Sequence, residues 1–159
     1  MSLIDKLTRL ATAQAFTSSG AVSTDSYPLG VAGRDIAIGE TLAMVFTVTT
    51  AALVAASETY LFRVQSATNA DGTTGGVILI STGTYTVSGS TTPSAYGAFP
   101  AGTQVIVPIA PGSIPATATH LAGFVVLGAS GGISCTIDLM PLRLAMQNYK
   151  AYVARPTFA

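Results

Sequence analysis

The stretch TLAMVFTVTT, residues 41–50, sets Leu42, Met44, Phe46 and Val48 two positions apart, with Thr41, Thr47 and Thr49 between or beside them. Successive side chains of an extended chain point to opposite faces, so this alternation reads as a strand with one face buried. The same period recurs in TYLFRVQSA (59–67), with Tyr60, Phe62 and Val64 inward, and in ISCTIDLM (133–140), with Ile133, Cys135, Ile137 and Leu139 on one face. GVILIS (76–81) is continuously apolar and reads as a more deeply buried strand, and TYTVS (84–88) follows it across Gly83, a bulge or tight reversal. TQVIVPIA (103–110) and HLAGFVVLG (120–128) add two more, Pro108 marking its strand as an edge or a bulged one. With the short RDIAI segment (34–38) the chain holds seven or eight strands, closed by Gly, Pro or Asn/Asp turns. An all-β, jelly-roll-like sandwich of two antiparallel sheets follows.

Length and composition narrow the partners. A chain of 159 residues fits one domain around one core. Charged residues make up 9% of it, against roughly a quarter in ordinary soluble proteins. The seven basic and seven acidic residues balance, with no basic cluster, which argues against nucleic acid and anionic lipid as partners. Ser, Thr, Ala and Gly fill the deficit, and a surface of hydroxyls and methyls is cheaper to desolvate than one of ammonium and carboxylate groups. Extensive protein contact is the simplest use for it. The apolar run at 42–56 is too short for a bilayer, which takes about 20 residues, and carries Thr47, Thr49 and Thr50. Asp5, Lys6 and Arg9 interrupt any secretion-signal core at the amino terminus.

Both ends differ from the body. Residues 1–18 read as a helix or arm: Ser2 and Asp5 make a capping-box pattern, and Leu3, Leu7, Leu10 and Gln14 recur at helical spacing, with Ile4 beside them. Such a helix is marginal alone and needs a surface to lie on. Residues 19–142 form the sandwich, and 143–159 an extended carboxyl-terminal arm in which Tyr149, Tyr152 and Phe158 suit a partner's pockets. The loop at 89–102, with Tyr96 and Phe99, is a rival contact surface.

Motifs for chemistry are absent from the sequence. The lone Cys135 cannot form an internal disulfide and reads as core filler, the lone His120 being the only histidine that could activate it. NADGTTGG (69–76) has Asn69, Asp71 and Gly72 but lacks the further carboxylates of a calcium loop, and reads as a hairpin turn. There is no phosphate loop, zinc-ligand spacing or nucleophile elbow, so the chain is expected to be neither an enzyme nor a cofactor or metal carrier.

GVAGRDIAIGE (30–40) concentrates Arg34, Asp35 and Glu40 between Gly30, Gly33 and Gly39. Physically this is the approach to a strand: glycines allow sharp changes of direction, and Arg34 can pair locally with either acid. AGRDIAIGE together with the amino-terminal LIDKLTRLATAQAFT closely resembles the Bbp16-type capsid cement proteins of tailed bacteriophages. That family opens with Ile-Asp-Lys-Leu, then Ala-Gln and Thr, and passes through a Gly-Arg-Asp-Ile-Gly turn into a long β-branched strand. The likeness continues more weakly through APG (110–112), HLAGFVVLG and TIDLMPL, covering most of residues 3–142. Ala37 stands where the family has Gly, residues 68–102 do not align, and the tail after Leu142 is longer.

The resemblance implies a jelly-roll subunit, made in the bacterial host cytoplasm, that sits on the outer surface of an HK97-type virion. It would bind the major capsid protein and itself, as a homodimer or else a homotrimer, with Gly33, Arg34, Asp35, Gly39 and Glu40 forming a structural loop. A cement protein adds buried area across junctions between capsomers, and an oligomer with several footprints gains from effective concentration. The alternative is a carbohydrate-binding jelly roll of a tail fibre or adhesin, which would want exposed aromatics beside acids or amides; this chain has no Trp.

Overall fold

A computed structural model describes residues 9–17, 21–29, 41–50, 58–87, 99–110, 112–128 and 132–148. Their elements are β1 (Arg9–Phe16), β2 (Ala21–Val22), β3 (Tyr27–Pro28), β4 (Leu42–Thr50), β5 (Glu58–Ala67), β6 (Val77–Ser81), β7 (Tyr85–Val87), β8 (Gln104–Ile109), β9 (His120–Leu127), β10 (Ile133–Pro141) and α1 (Leu142–Asn148). The strands form two antiparallel sheets. Sheet A runs β1-β10-β4-β8, and sheet B runs β2-β9-β5-β6, with β3 also on β9 and β7 also on β5.

The alternating strands lie at the centres of these sheets. β4 pairs with β10 over Leu42–Thr50, and β5 pairs with β9 from Tyr60 opposite Leu127 to Ala67 opposite His120. Met44, Phe46 and Val48 face Tyr60, Phe62 and Val64 in one core, all 1% exposed or less, which is the face the period-two spacing picks out. Phe46 and Phe62 meet with ring centroids 5.2 Å apart, and Phe99 closes an aromatic group with Tyr60, Phe62 and Tyr85. Gly123 is required where the sheets approach: a β-carbon there would lie 2.9 Å from Ile137 and 3.3 Å from Phe46. β8 is an edge strand, as Pro108 leads one to expect, with the Pro108 ring exposed.

Three sequence expectations are corrected. No helix covers residues 9–16; they form a strand against β10, with bulges either side of Ala11 and Ala13 at φ 46°. Leu10, Ala11 and Phe16 are buried, and the Ala13 amide donates to the Thr136 hydroxyl at 3.1 Å. Pairing with β10 and core burial override a helical stripe that would have been marginal by itself. Next, β6 is not deeply buried. It lies at the rim of sheet B, with Val77 and Ile78 about half exposed. Around Gly83 the bulge alternative holds: β6 and β7 run on along the same side of β5 with residues 82–84 standing opposite 61–62, and the Thr82 amide is bonded to the Phe62 carbonyl at 2.8 Å.

Finally, the carboxyl-terminal arm begins as a helix. Leu142, Leu144, Ala145, Met146 and Gln147 are good helix formers, and Leu142 and Ala145, three apart, fall on the face toward sheet A. They pack with Ala43, Val45, Ile106 and Met140 in a small second cluster. The RDIAI segment, residues 1–8 and residues 149–159 lie outside the described residues.

Truncating Phe62 to Ala removes the ring that joins the two sheets and is expected to cost about 3–5 kcal/mol. Val77→Ala, on the exposed rim, is expected to cost under about 0.5 kcal/mol. Urea denaturation of both variants checks this; a large loss for Val77→Ala would place β6 in the core after all.

Candidate functional site

The outer faces of the two sheets are finished differently, and that difference defines the candidate surface. On sheet A, α1 covers Ala43 and Val45. Beside it Asp138 is buried on β10, its carboxylate held by Arg9 of β1 through Nε–Oδ1 at 2.8 Å and a weaker Nη2–Oδ2 contact at 3.5 Å. The carboxylate raises the Arg9 guanidinium's pKa, first by hydrogen bonding and then by charge. This pair ties the amino-terminal strand to the sheet centre. Leu144 and Met146 on the far side of α1 remain exposed.

Sheet B has no helix over it among the described residues. Leu61, Arg63 and Gln65 of β5 point away from the core, opposite Val126, Phe124 and Ala122 of β9. Arg63 stacks its guanidinium on the Phe124 ring, 4.1 Å from the centroid, a cation–π contact of roughly 0.5–2 kcal/mol. Its Nε is sealed from solvent without a hydrogen-bond acceptor. Ile78, paired with Gln65, stands about half exposed at the rim of this face.

The turn after β5 folds back over the same face. The Gln65 amide donates to the Gly72 carbonyl, and a β-carbon on Gly72, whose φ is +69°, would lie 2.8 Å from that of Ala122. Asp71 organises the turn: its carboxylate accepts from the Thr73 and Thr74 amides, both at 2.9 Å, and from the Thr74 hydroxyl at 2.5 Å. Those donors hold the Asp71 carboxyl down to about 2, so it is ionised at neutral pH at an exposed position of the turn. The hairpin-turn reading of NADGTTGG holds, and among the described residues no group of three or more potential metal ligands occurs.

The sequence-predicted site residues scatter. Leu10 faces this chain's own core, and Phe99 packs edge-on against Tyr60, Phe62 and Tyr85. Leu3, Ile4, Leu7, Tyr96, Tyr149, Tyr152 and Phe158 lie outside the described residues, as do Gly33, Arg34, Asp35, Gly39 and Glu40. Gln14, placed by spacing on a helical stripe, instead brackets the β2–β3 segment, donating to the Val22 carbonyl and accepting from the Thr24 amide and hydroxyl. Cys135 sits in the core, where burial pushes its thiol up to about 12. His120, half buried, contacts the Thr119 hydroxyl through Nδ1 at 2.8 Å.

Arg63, Phe124 and Ile78 were not singled out by sequence reasoning. A signal existed: Arg63 falls between inward Phe62 and Val64, so period two already places a charge on the outward face of a central strand. Among the described helices none is long and apolar enough to cross a membrane. No known family model matches the chain, and no curated protein is significantly similar to it in sequence.

Two measurements check this geometry. The Cys135 thiol should resist a disulfide-exchange reagent at pH 8 in the folded chain and react at once in denaturant; fast reaction under native conditions would contradict its burial. Arg9→Met leaves a buried carboxylate unpaired and should cost about 1–3 kcal/mol, more than the double variant Arg9→Met with Asp138→Leu. Equal losses in denaturant titrations would show that the pair contributes nothing.

Proposed function

We propose that this chain is a structural capsid cement protein. On this reading it binds, as a homo-oligomer, the outer surface of an HK97-type phage capsid and reinforces contacts between major capsid proteins. The observation that carries the reading is the sandwich's surface: few ions and abundant small polar groups, with large apolar side chains exposed at two separate places among the described residues. Those places are the β6–β7 rim (Val77, Ile78, Tyr85) and the far side of α1 (Leu144, Met146). Two patches on opposite sheets suit a clamp that touches more than one neighbour, since each contact adds buried area that must be exposed when capsomers part.

The strand orders support a jelly roll within the sandwich. β1, β10, β4 and β8 alternate with β2–β3, β9, β5 and β6–β7 so that successive strand pairs cross between sheets, the pattern two interleaved Greek keys produce. The likeness of LIDKLTRLATAQAFT and AGRDIAIGE to phage cement proteins supports the same class. The reading needs no turnover and no bound cofactor.

The test is mechanical. Shells assembled from the major capsid protein that this reading makes its partner are heated with and without the purified chain. A cement protein sediments with the shells and raises the temperature at which they break; a chain that stays in the supernatant overturns the proposal. Removing residues 149–159, which leaves α1 and its packing on sheet A in place, is expected to weaken retention at least tenfold. Unchanged occupancy would take the tail out of the contact.

A further inference from the structure

We propose that Arg63, on the outer face of sheet B, anchors a carboxylate side chain of the capsid partner, so that the segment docking beside the β6–β7 rim carries an aspartate or glutamate over Arg63 with uncharged residues around it. The proposal deepens the cement reading by naming the chemistry of one contact, and it rests on that reading for the identity of the partner. Its own evidence is the state of one guanidinium group.

That group does little for the fold. Arg63 lies on the central strand β5, opposite Phe124 of β9 on one side and Ser81 of β6 on the other. Its guanidinium stacks on the Phe124 ring, and its Nε is sealed from solvent with no acceptor. A sealed donor on a charged group costs free energy that a neutral side chain of similar length would avoid. Among the described side chains no carboxylate pairs with it. Asp138 is taken by Arg9 on the other sheet. Asp71 accepts from Thr73 and Thr74 on the turn after β5. Asp25 is exposed between β2 and β3, a segment that the turn touches where the Ser26 hydroxyl donates to the Ala70 carbonyl at 2.8 Å. The Glu58 side chain and Asp5, Asp35 and Glu40 lie outside what the structure describes.

The distribution of charge selects the occupant. Arg63 is the described cation of the half next to the rim, while Asp71 and Asp25 stand at the turn end. A second copy laid on this face would bring two described carboxylates for each guanidinium, an unbalanced contact. A partner segment with an acid over Arg63 and none toward the turn matches both ends. Stacking on Phe124 fixes the guanidinium plane, so its terminal nitrogens offer a carboxylate a fork with little further ordering. Leu61 and Val126, half buried on the same face, and Ile78, 54% exposed, supply apolar area around the charge. That area is continuous with the rim of Val77 and Tyr85, which the cement reading already places in contact. An arginine set among apolar groups is the kind of residue that dominates binding energy.

Arg63→Met, made in the full chain, separates a contact residue from a structural one. Methionine keeps an apolar stem on Phe124 without the sealed donor, so the isolated variant is expected to unfold in urea at or above the wild-type midpoint. That is the mark of a residue held for binding against stability. In co-sedimentation with shells of the major capsid protein, Arg63→Met should bind at least tenfold more weakly than the wild type and Arg63→Glu more weakly still, with Arg63→Lys between Arg63→Met and the wild type. Raising NaCl from about 0.05 to about 0.5 M should weaken the wild type more than Arg63→Met. Asp71→Asn keeps an acceptor for Thr73 and Thr74 and removes a like charge near the incoming carboxylate, so it should bind shells at least as tightly as the wild type. An Arg63→Met chain that unfolds well below the wild-type midpoint would overturn the proposal by making Arg63 structural. Weaker binding by Asp71→Asn would overturn it in favour of a second copy on this face. Shells bound equally by the wild type and Arg63→Met would refute the anchor and leave the cement reading standing. A wild type that never binds shells would refute the cement reading and the partner named here together.

Discussion

Everything in this molecule depends on how closely its two sheets approach. Phe46 and Phe62 touch across the core, and Gly123 leaves room for Ile137 and Phe46 where any β-carbon would collide. That contact joins the central strands β4 and β10 of one sheet to β5 and β9 of the other, and so fixes which face of every strand is inside. A one-residue slip in any of these strands would turn its core-facing side chains outward. The register of the core thus also decides what the outer faces present.

The two outer faces receive different treatment from the same chain. Sheet A is covered by α1 and stitched at its edge by Arg9 and Asp138, a buried carboxylate with its cation. Sheet B keeps an exterior in which a stacked arginine, an oriented aspartate and a half-exposed isoleucine lie together. In a chain with so few charges, a cation on a central strand with no carboxylate beside it among the described residues has a consequence, because an ion next to apolar area costs free energy until an opposite charge reaches it.

Much of the fold was legible because alternation at period two has one cause, burial of one sheet face, and the central strands carry it strongly. Leu42 to Val48, Tyr60 to Val64 and Ile133 to Leu139 could be placed for that reason, and Pro108 marked an edge because proline cannot donate to a ladder. The amino-terminal strand misled because Leu10 and Gln14 sit at helical spacing, while the pairing that wins over residues 9–16, with β10, lies more than a hundred residues away. GVILIS misled because apolar composition does not say whether a strand is central or at the rim. The candidate surface was least legible: Phe124 is distant in sequence from Arg63, and only the pairing of β5 with β9 brings the two together, with the turn folded back over Ala122 beside them.

On the proposed reading this sandwich is held against neighbours on a shell. Cryo-electron microscopy of shells incubated with the purified chain tests it most directly. The expected result is ordered density for the sandwich on the outer surface, touching at least two major capsid subunits. Bare shells at saturating concentration, or density confined to the interior, would contradict it.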